Sequence, residues 1–216
     1  MFKICLFDLD GTLTDSKEGI IKSFQYTLKH FGIKEPDCGY EHFIGPALRD
    51  IFKTHCGFDD AMAETATAKY RERYATVGMY ENKLYPGVAE TLAALKDNGA
   101  TVALATSKTA VYADKILKHF DIYDYFSFTA GSNFDGTRSD KKELIEYALD
   151  GLNVGEERKK TAVMAGDREY DITGAKRAGI KSIGVTYGYG SREELVSAGA
   201  DYLAASPREL LEIILN

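Results

Sequence analysis

Asp8 and Asp10 lie two residues apart at the end of an apolar run and are followed by Gly11-Thr12. Residues two apart at a strand end leave it on the same side, so the two carboxylates share one space. Held that close, they repel unless a cation or a shared proton relieves them. An ordinary turn after a strand could show the same letters. Three further clusters of polar residues, each read as following an apolar strand, make a site the stronger reading.

Thr101–Ala105 delivers Thr106-Ser107-Lys108. A hydroxyl with free backbone N–H groups at the start of a helix suits a phosphate oxygen, and the same residues would serve as a plain helix cap. Thr161–Ala165 delivers Gly166-Asp167, with Asp171 four residues later, one helical turn on. Carboxylates with few histidines and no nearby cysteine suit a hard, oxygen-seeking ion, of which Mg²⁺ is the usual choice beside phosphate. A solvated helix start, with acids opposing the dipole, is the bland alternative. Lys141 opens a helix after Asp135–Asp140 and could neutralise both a phosphate and the carboxylate pair, with Lys142 and Arg138 as close competitors. The four clusters agree in type, in order and in place.

Those placements require a parallel α/β sheet. Residues 3–7 read as a strand buried on both faces. From about Ser16 to Tyr80 the pattern is helical. Ile20, Phe24, Leu28 and Phe31 form one stripe, which Gly32 stops. Phe43, Ala47, Leu48, Ile51 and Phe52 form a second, and residues 59–76 a third, capped by Asp59 or Asp60. From Leu84 onward strands alternate with helices, which implies βαβ units. The spacing predicts strands at 101–105, 126–129, 161–165, 183–186 and 202–203. It predicts helices at about 87–95, 109–120, 141–149, 172–178 and 207–215. Ligand sites in such sheets lie beyond the carboxyl ends of the strands, where all these clusters fall. The expected organisation is an α/β core from residues 1–13 and 84–216, with 14–83 inserted as an all-helical cap.

The chain has 216 residues, 44% hydrophobic content and a net charge of −6, enough for a full core and a second small domain. No basic run suggests a nucleic acid polymer and no segment approaches the length of a membrane span, so neither partner is expected. Cys5, Cys38 and Cys56 are odd in number and widely spaced, which suits free thiols in a reducing compartment. The first residues run straight into a strand, so a cytoplasmic protein is expected.

Together these residues resemble the haloacid dehalogenase-like hydrolases, and among them the phosphatases with a helical cap inserted after the first strand. Asp8-Leu9-Asp10-Gly11-Thr12 is similar to the first motif of that family, Thr106 to the second, Lys141 to the third, and Gly166-Asp167 with Asp171 to the fourth. Lys141 lacks the proline that follows this lysine in many relatives. Tyr85-Pro86-Gly87, Ala105–Lys108 and Gly166-Asp167-Arg168 resemble phosphoglycolate-phosphatase-like proteins, and Asp135–Lys141 resembles the 5′-nucleotidase group.

The resemblance implies an Rossmann-like sheet and an Mg²⁺-dependent phosphatase acting on a small phosphorylated metabolite. Asp8 would attack phosphorus to form an aspartyl-phosphate, and Asp10 would protonate the leaving alcohol and then activate water. Thr106 and Lys141 would stabilise charge on the phosphoryl group. Gly11, Thr12, Ser107, Lys108 and the cap residue Arg49 would contact the substrate. The Asp8 carboxylate, the Asp10 carbonyl and Asp167 would hold the metal, supported by Asp171. The cap would select the substrate and exclude water. Lys53, Arg71 and Arg73 are further cap cations, each better read as solvated charge. Tyr70 and Tyr74 read as packing, and His30, His42, His55 and His119 as structural residues without partners. A monomer or a homodimer is expected. A phosphosugar mutase uses the same two aspartates. A receiver-type signalling domain also gathers acids, a threonine and a lysine, but it normally has adjacent acids and no cap. The dehalogenases of the family lack an acid at the position of Asp10, and no G-x-x-x-x-G-K-[ST] loop is present.

Overall fold

Ile4, Cys5, Leu6 and Phe7 are completely buried, the expected condition of a strand covered on both faces. They form β1 (Ile4–Phe7). The computed structural model describes every residue except 37, 38, 41, 42 and 47, so Cys38, His42 and Ala47 lie outside the described residues. After β1 come β2 (Thr14–Asp15), α1 (Lys17–Phe31), α2 (Leu48–Cys56), α3 (Asp60–Tyr74) and β3 (Lys83–Leu84). The remainder alternates through α4 (Val88–Asp97), β4 (Thr101–Thr109), α5 (Ala110–His119), β5 (Phe128–Ser132), α6 (Lys141–Gly151) and α7 (Glu156–Lys159). It ends with β6 (Ala162–Gly166), α8 (Glu169–Ala178), β7 (Lys181–Val185), α9 (Arg192–Ala198), β8 (Tyr202–Ala204) and α10 (Pro207–Leu215).

Six strands form a parallel sheet in the order β5-β4-β1-β6-β7-β8. Phe7 lies opposite Leu104 on β4 and Ala165 on β6, so the residues after these three positions emerge at one edge. The chain runs outward from β4 to β5, then returns to the other side of β1 at β6. The end of β1 is therefore a topological switch point, where open α/β sheets bind ligands. Ile4, Leu6, Ala103, Ala105 and Met164 pack on one face against Leu144, Ile145 and Ala148 of α6 and Ala175 of α8. Helices α4 and α5 pack on β4, and α10 packs on β8.

The chain divides into two compact units, Met1–Asp15 with Leu84–Asn216, and Ser16–Lys83. In the second, Phe24 is fully buried among the rings of Phe43, Phe52 and Tyr70, whose centroids lie 4.9, 5.5 and 4.8 Å away. Tyr70 and Tyr74 stack and are buried. Arg73 makes a two-pronged pair with Glu81 at 2.7 and 3.0 Å, and Lys53 pairs with Asp60. Gly32 takes the left-handed conformation that closes α1, and the Asp59 side chain caps α3 by accepting from Met62 N–H.

Several expectations need correction. Phe43 is buried but precedes α2, which begins at Leu48. His30, His55 and His119 do have partners, the rings of Phe31, Phe43 and Phe120. Helices α7 and α9 and strands β2 and β3 were not expected. Strand β4 runs four residues past Ala105, and α8 starts at Glu169, three residues before the predicted 172. Cys5 and Cys56 are free thiols, and burial pushes Cys5 up to about 12. No helix among the described residues is long and apolar enough to cross a membrane.

Candidate active site

Asp8 follows β1 directly, and its N–H donates to the Ala165 carbonyl at 3.0 Å, extending the β1–β6 pairing by one step. The chain then folds tightly. The Leu9 carbonyl accepts from the N–H groups of Thr12, Leu13 and Thr14 at 3.3, 2.9 and 3.0 Å. Gly11 has a φ of +81°, and a Cβ there would run into the Asp167 carboxyl group. Thr12 is fully buried and its hydroxyl donates to Asp167 Oδ1 at 3.2 Å. That hydroxyl is committed to holding a carboxylate, whereas the family resemblance implied a contact with substrate.

Asp167 follows β6 and is completely buried. Its Oδ2 accepts from Tyr189 N–H at 2.8 Å. Tyr189 belongs to the loop 186–191 after β7, which pattern reading passed over. The Tyr187 hydroxyl donates to the Thr12 carbonyl and the Tyr189 hydroxyl to Asp15, each at 3.0 Å. Side chains at Gly188 or Gly190 would collide with Asp167. The alternating Gly188-Tyr189-Gly190 was the available signal, since paired glycines mark a close backbone approach. Asp171 sits in the first turn of α8, its Oδ2 accepting from Arg168 N–H at 3.1 Å, and Gly166 leaves room for its carboxyl group. Glu194 of α9 accepts from Arg168 Nε and Glu169 N–H at 2.8 and 2.9 Å, bracing the start of α8.

Among the three competing cations, Lys141 enters the acid cluster. Its Nζ lies 3.1 Å from Asp8 Oδ1 and 2.8 Å from Asp171 Oδ1, and donates to the Ala105 carbonyl at 3.0 Å. Lys142 pairs with Glu146. Arg138 donates to Gly131 and Asn133 and lies over the Tyr147 ring. Lys108 Nζ lies 2.7 Å from Asp10 Oδ2. Thr106 is buried at the same edge, but on β4 and not at a helix start, with α5 beginning only at Ala110. The expected helix-terminal anion cradle is replaced by a bulged strand. The Ser107 hydroxyl donates to the Ser139 carbonyl at 3.1 Å. Arg49 belongs to the helical unit, where its guanidinium pairs with Glu64.

Asp8, Asp167 and Asp171 each offer an oxygen atom within 4.8 Å of the others. Burial, then the charges of Asp171 and Asp8, push Asp167 well above the usual carboxylate range. Burial also pushes Asp171 up to about 6 against the pull of Lys141. Burial acts on Lys141 in the opposite sense, but Asp171 and Asp8 outweigh it and hold the ammonium above the ordinary lysine value. Asp8 Oδ1 and Asp171 Oδ1 are buried at ion-pair distance from Lys141, yet neither has a hydrogen-bond partner among the described residues. One ammonium cannot balance three carboxylates, two of them fully buried. An all-oxygen set with acceptor oxygens to spare fits a hard divalent cation.

This charge balance has a thermal consequence. In the unfolded chain Asp171 releases its proton near 3.8, but in the fold only at about 6. Between those values the folded protein holds more protons, so without metal its stability falls as pH rises through that window. A cation needs the carboxylates ionised, so its stabilisation grows over the same window. If the acid cluster holds Mg²⁺, the rise in Tm on adding it is expected to be larger at about pH 7.5 than at about pH 5. Equal rises at both would put the binding elsewhere, and thermal melts with and without Mg²⁺ at the two values measure it.

A parallel α/β sheet with acids, lysines and a threonine converging at its switch point is the arrangement of an enzyme whose acid cluster could hold a metal ion. The model described as haloacid dehalogenase-like hydrolase matches residues 5–185, and the chain belongs to that family as a phosphoric monoester hydrolase. It is 44% identical over 210 residues to a 5′-nucleotidase of Pseudomonas aeruginosa, covering 97% of this chain and 94% of that one. It is 31% identical over 223 residues to a phosphoglycolate phosphatase of Vibrio vulnificus, covering 99% and 96%. The crystal structure of a predicted phosphatase from Clostridium acetobutylicum superposes with a TM-score of 0.93 at 45% identity, covering 100% of this chain and 99% of that one.

Proposed function

We propose that this protein is an Mg²⁺-dependent phosphatase that hydrolyses a small phosphate monoester through an aspartyl-phosphate on Asp8. Nucleoside 5′-monophosphates are the first candidate substrates and phosphoglycolate the second, in the order of identity to the relatives so named. The observation that carries the reading is the juxtaposition of Asp8, at the end of the central strand, with Lys141, Asp167 and Asp171.

Asp8 carboxylate attacks phosphorus, and the bond from phosphorus to the ester oxygen breaks. Asp10 gives its proton to that oxygen, releasing the alcohol. Asp10 then takes a proton from water as the water oxygen attacks phosphorus, which frees Asp8 and inorganic phosphate. Acid–base help of this kind is worth ~10²–10⁴ in rate, far short of the ~10²¹ that monoester hydrolysis can demand. Charge stabilisation must supply most of the remainder. Lys141 offers its ammonium beside the attacking oxygen, and Thr106 its hydroxyl at the end of the neighbouring strand. Asp8, Asp167 and Asp171, with the Asp10 carbonyl, would hold Mg²⁺, which when bound neutralises phosphoryl charge and the repulsion between Asp8 and the phosphate. Ser16–Lys83, with Arg49, is proposed as the substrate-selecting cap, and the protein as a cytoplasmic monomer or homodimer.

Phosphate release should be measured over nucleoside 5′-monophosphates, phosphoglycolate, sugar phosphates and an aryl phosphate, with Mg²⁺ and with a chelator. Metal-dependent release is expected, fastest on one of the first two classes. Turnover seen only on a sugar phosphate, and only with a bisphosphate activator, would replace the hydrolase by a mutase.

A further inference from the structure

The pairing of β4 with β5 slips next to the site. Thr106 lies opposite Gly131, but the next pair is Thr109 with Ser132, so β4 advances three residues while β5 advances one. Ser107 and Lys108 are the extra residues. Such a bulge sacrifices ladder hydrogen bonds and re-aims side chains, and bulges of this kind are found beside active sites. This one is pinned throughout. The Lys108 N–H donates to Thr106 Oγ1 at 3.2 Å and the Ser107 hydroxyl to the Ser139 carbonyl at 3.1 Å. A Cβ on Gly131 would collide with Ala110 and the Lys108 carbonyl.

The bulge delivers one long cation to one acid. The Lys108 side chain is only 8% exposed and its Nζ lies 2.7 Å from Asp10 Oδ2. Asp10 Oδ1 is buried and has no hydrogen-bond partner among the described residues. The two oxygens of Asp10 are therefore unlike: one is held by an ammonium and the other is buried without a partner among the described residues. Burying a lysine is costly unless it is paired, and a solvated charge would not need a two-residue slip to place it. Lys141 serves Asp8 and Asp171, so the two lysines divide the acids between them.

We infer that Lys108 is a positioning residue for Asp10, fixing its carboxyl group through Oδ2 so that Oδ1 faces the leaving oxygen of the ester. The inference rests on the phosphatase reading above and gives Lys108 a role other than contact with the substrate. In the first half-reaction Oδ1 carries the proton and passes it to the ester oxygen as the phosphorus–oxygen bond breaks. Oδ2, the carbonyl oxygen of the acid at that moment, still accepts from Lys108. In the second half-reaction Oδ1 takes the proton of the attacking water. Lys108 itself gains and loses no proton.

The test compares two esters of similar shape. Phenyl phosphate expels a leaving group that needs a proton, whereas 4-nitrophenyl phosphate expels one that leaves without it. The ratio kcat/KM extends only to aspartyl-phosphate formation, so it isolates the leaving-group step. Lys108→Met is expected to lower kcat/KM on phenyl phosphate ~30-fold or more, within the range of acid catalysis, and to lower it at least ~10-fold less on the nitro ester. Asp10→Asn should show the same bias, Lys108→Met should add little to it, and Lys108→Arg should restore part of the phenyl phosphate rate. Equal losses on both esters, or a raised KM with kcat intact, would make Lys108 a substrate contact and overturn the inference. Should Lys108→Met melt early, the Lys108→Arg comparison decides by the same bias. Failure of wild-type protein to release phosphate from either ester would instead remove the phosphatase reading.

Discussion

Replacing Asp8 by asparagine is expected to abolish phosphate release, by at least ~10⁴-fold, as loss of a covalent nucleophile does elsewhere. The amide has the carboxylate's shape but not its nucleophilic oxygen, so neither half-reaction can begin. The fold should not suffer. Asp8 is one of three clustered acids, and its charge helps to push Asp167 and Asp171 upward. Neutralising it relieves that repulsion, while Lys141 keeps its pair with Asp171. Without metal, Asp8→Asn should melt at or above the wild-type temperature. Phosphate assays beside thermal melts measure both, and a variant that is inactive but strongly destabilised would make Asp8 a structural acid. Retained activity would remove it as nucleophile.

The parts of this site that are legible in the sequence are those governed by buried parallel strands. A short apolar run ending in polar residues can be read without partners, so Asp8, Asp10 and Asp167 could be assigned to one sheet edge. The β4 bulge could not. Thr106-Ser107-Lys108 are polar and precede a helix, which is also how a capped helix start looks. Only the register against β5 separates the two readings, and register is a property of paired strands. Phe43 fits the spacing of a helical stripe, yet it reaches the Phe24 cluster from outside α2, because burial asks for an apolar side chain and not for a helix. Helix α9 buries a single residue, Leu195, so it leaves no periodicity to detect. Lys141 and Lys142 are adjacent, and about 100° of helical rotation separates their directions. Which one faces the acids depends on how α6 sits against β4 and α8, information that lies in Gly174 more than in either lysine.

That placement makes Lys141 the residue whose removal should damage both chemistry and fold. Lys141→Met keeps the stem, whose Cβ and Cγ lie against Gly174, and deletes only the ammonium. Asp171, 1% exposed, then loses the cation 2.8 Å away. Stranding a buried charge in this way costs about 3–5 kcal/mol, so a large fall in Tm is expected. Activity should fall by at least ~10²–10³, the scale for deleting one group that stabilises developing charge. Because Mg²⁺ can relieve part of the repulsion among the acids, the stability deficit should shrink when the metal is added. Lys141→Arg should recover little, since the larger head group must fit beside Ala105, Asp8 and Asp171 with the stem fixed by Gly174. Asp8→Asn and Lys141→Met thus make opposite predictions for metal-free stability, while the first abolishes turnover and the second lowers it. A Lys141→Met protein as stable as wild type in the presence of chelator would mean that the ammonium does not balance these carboxylates.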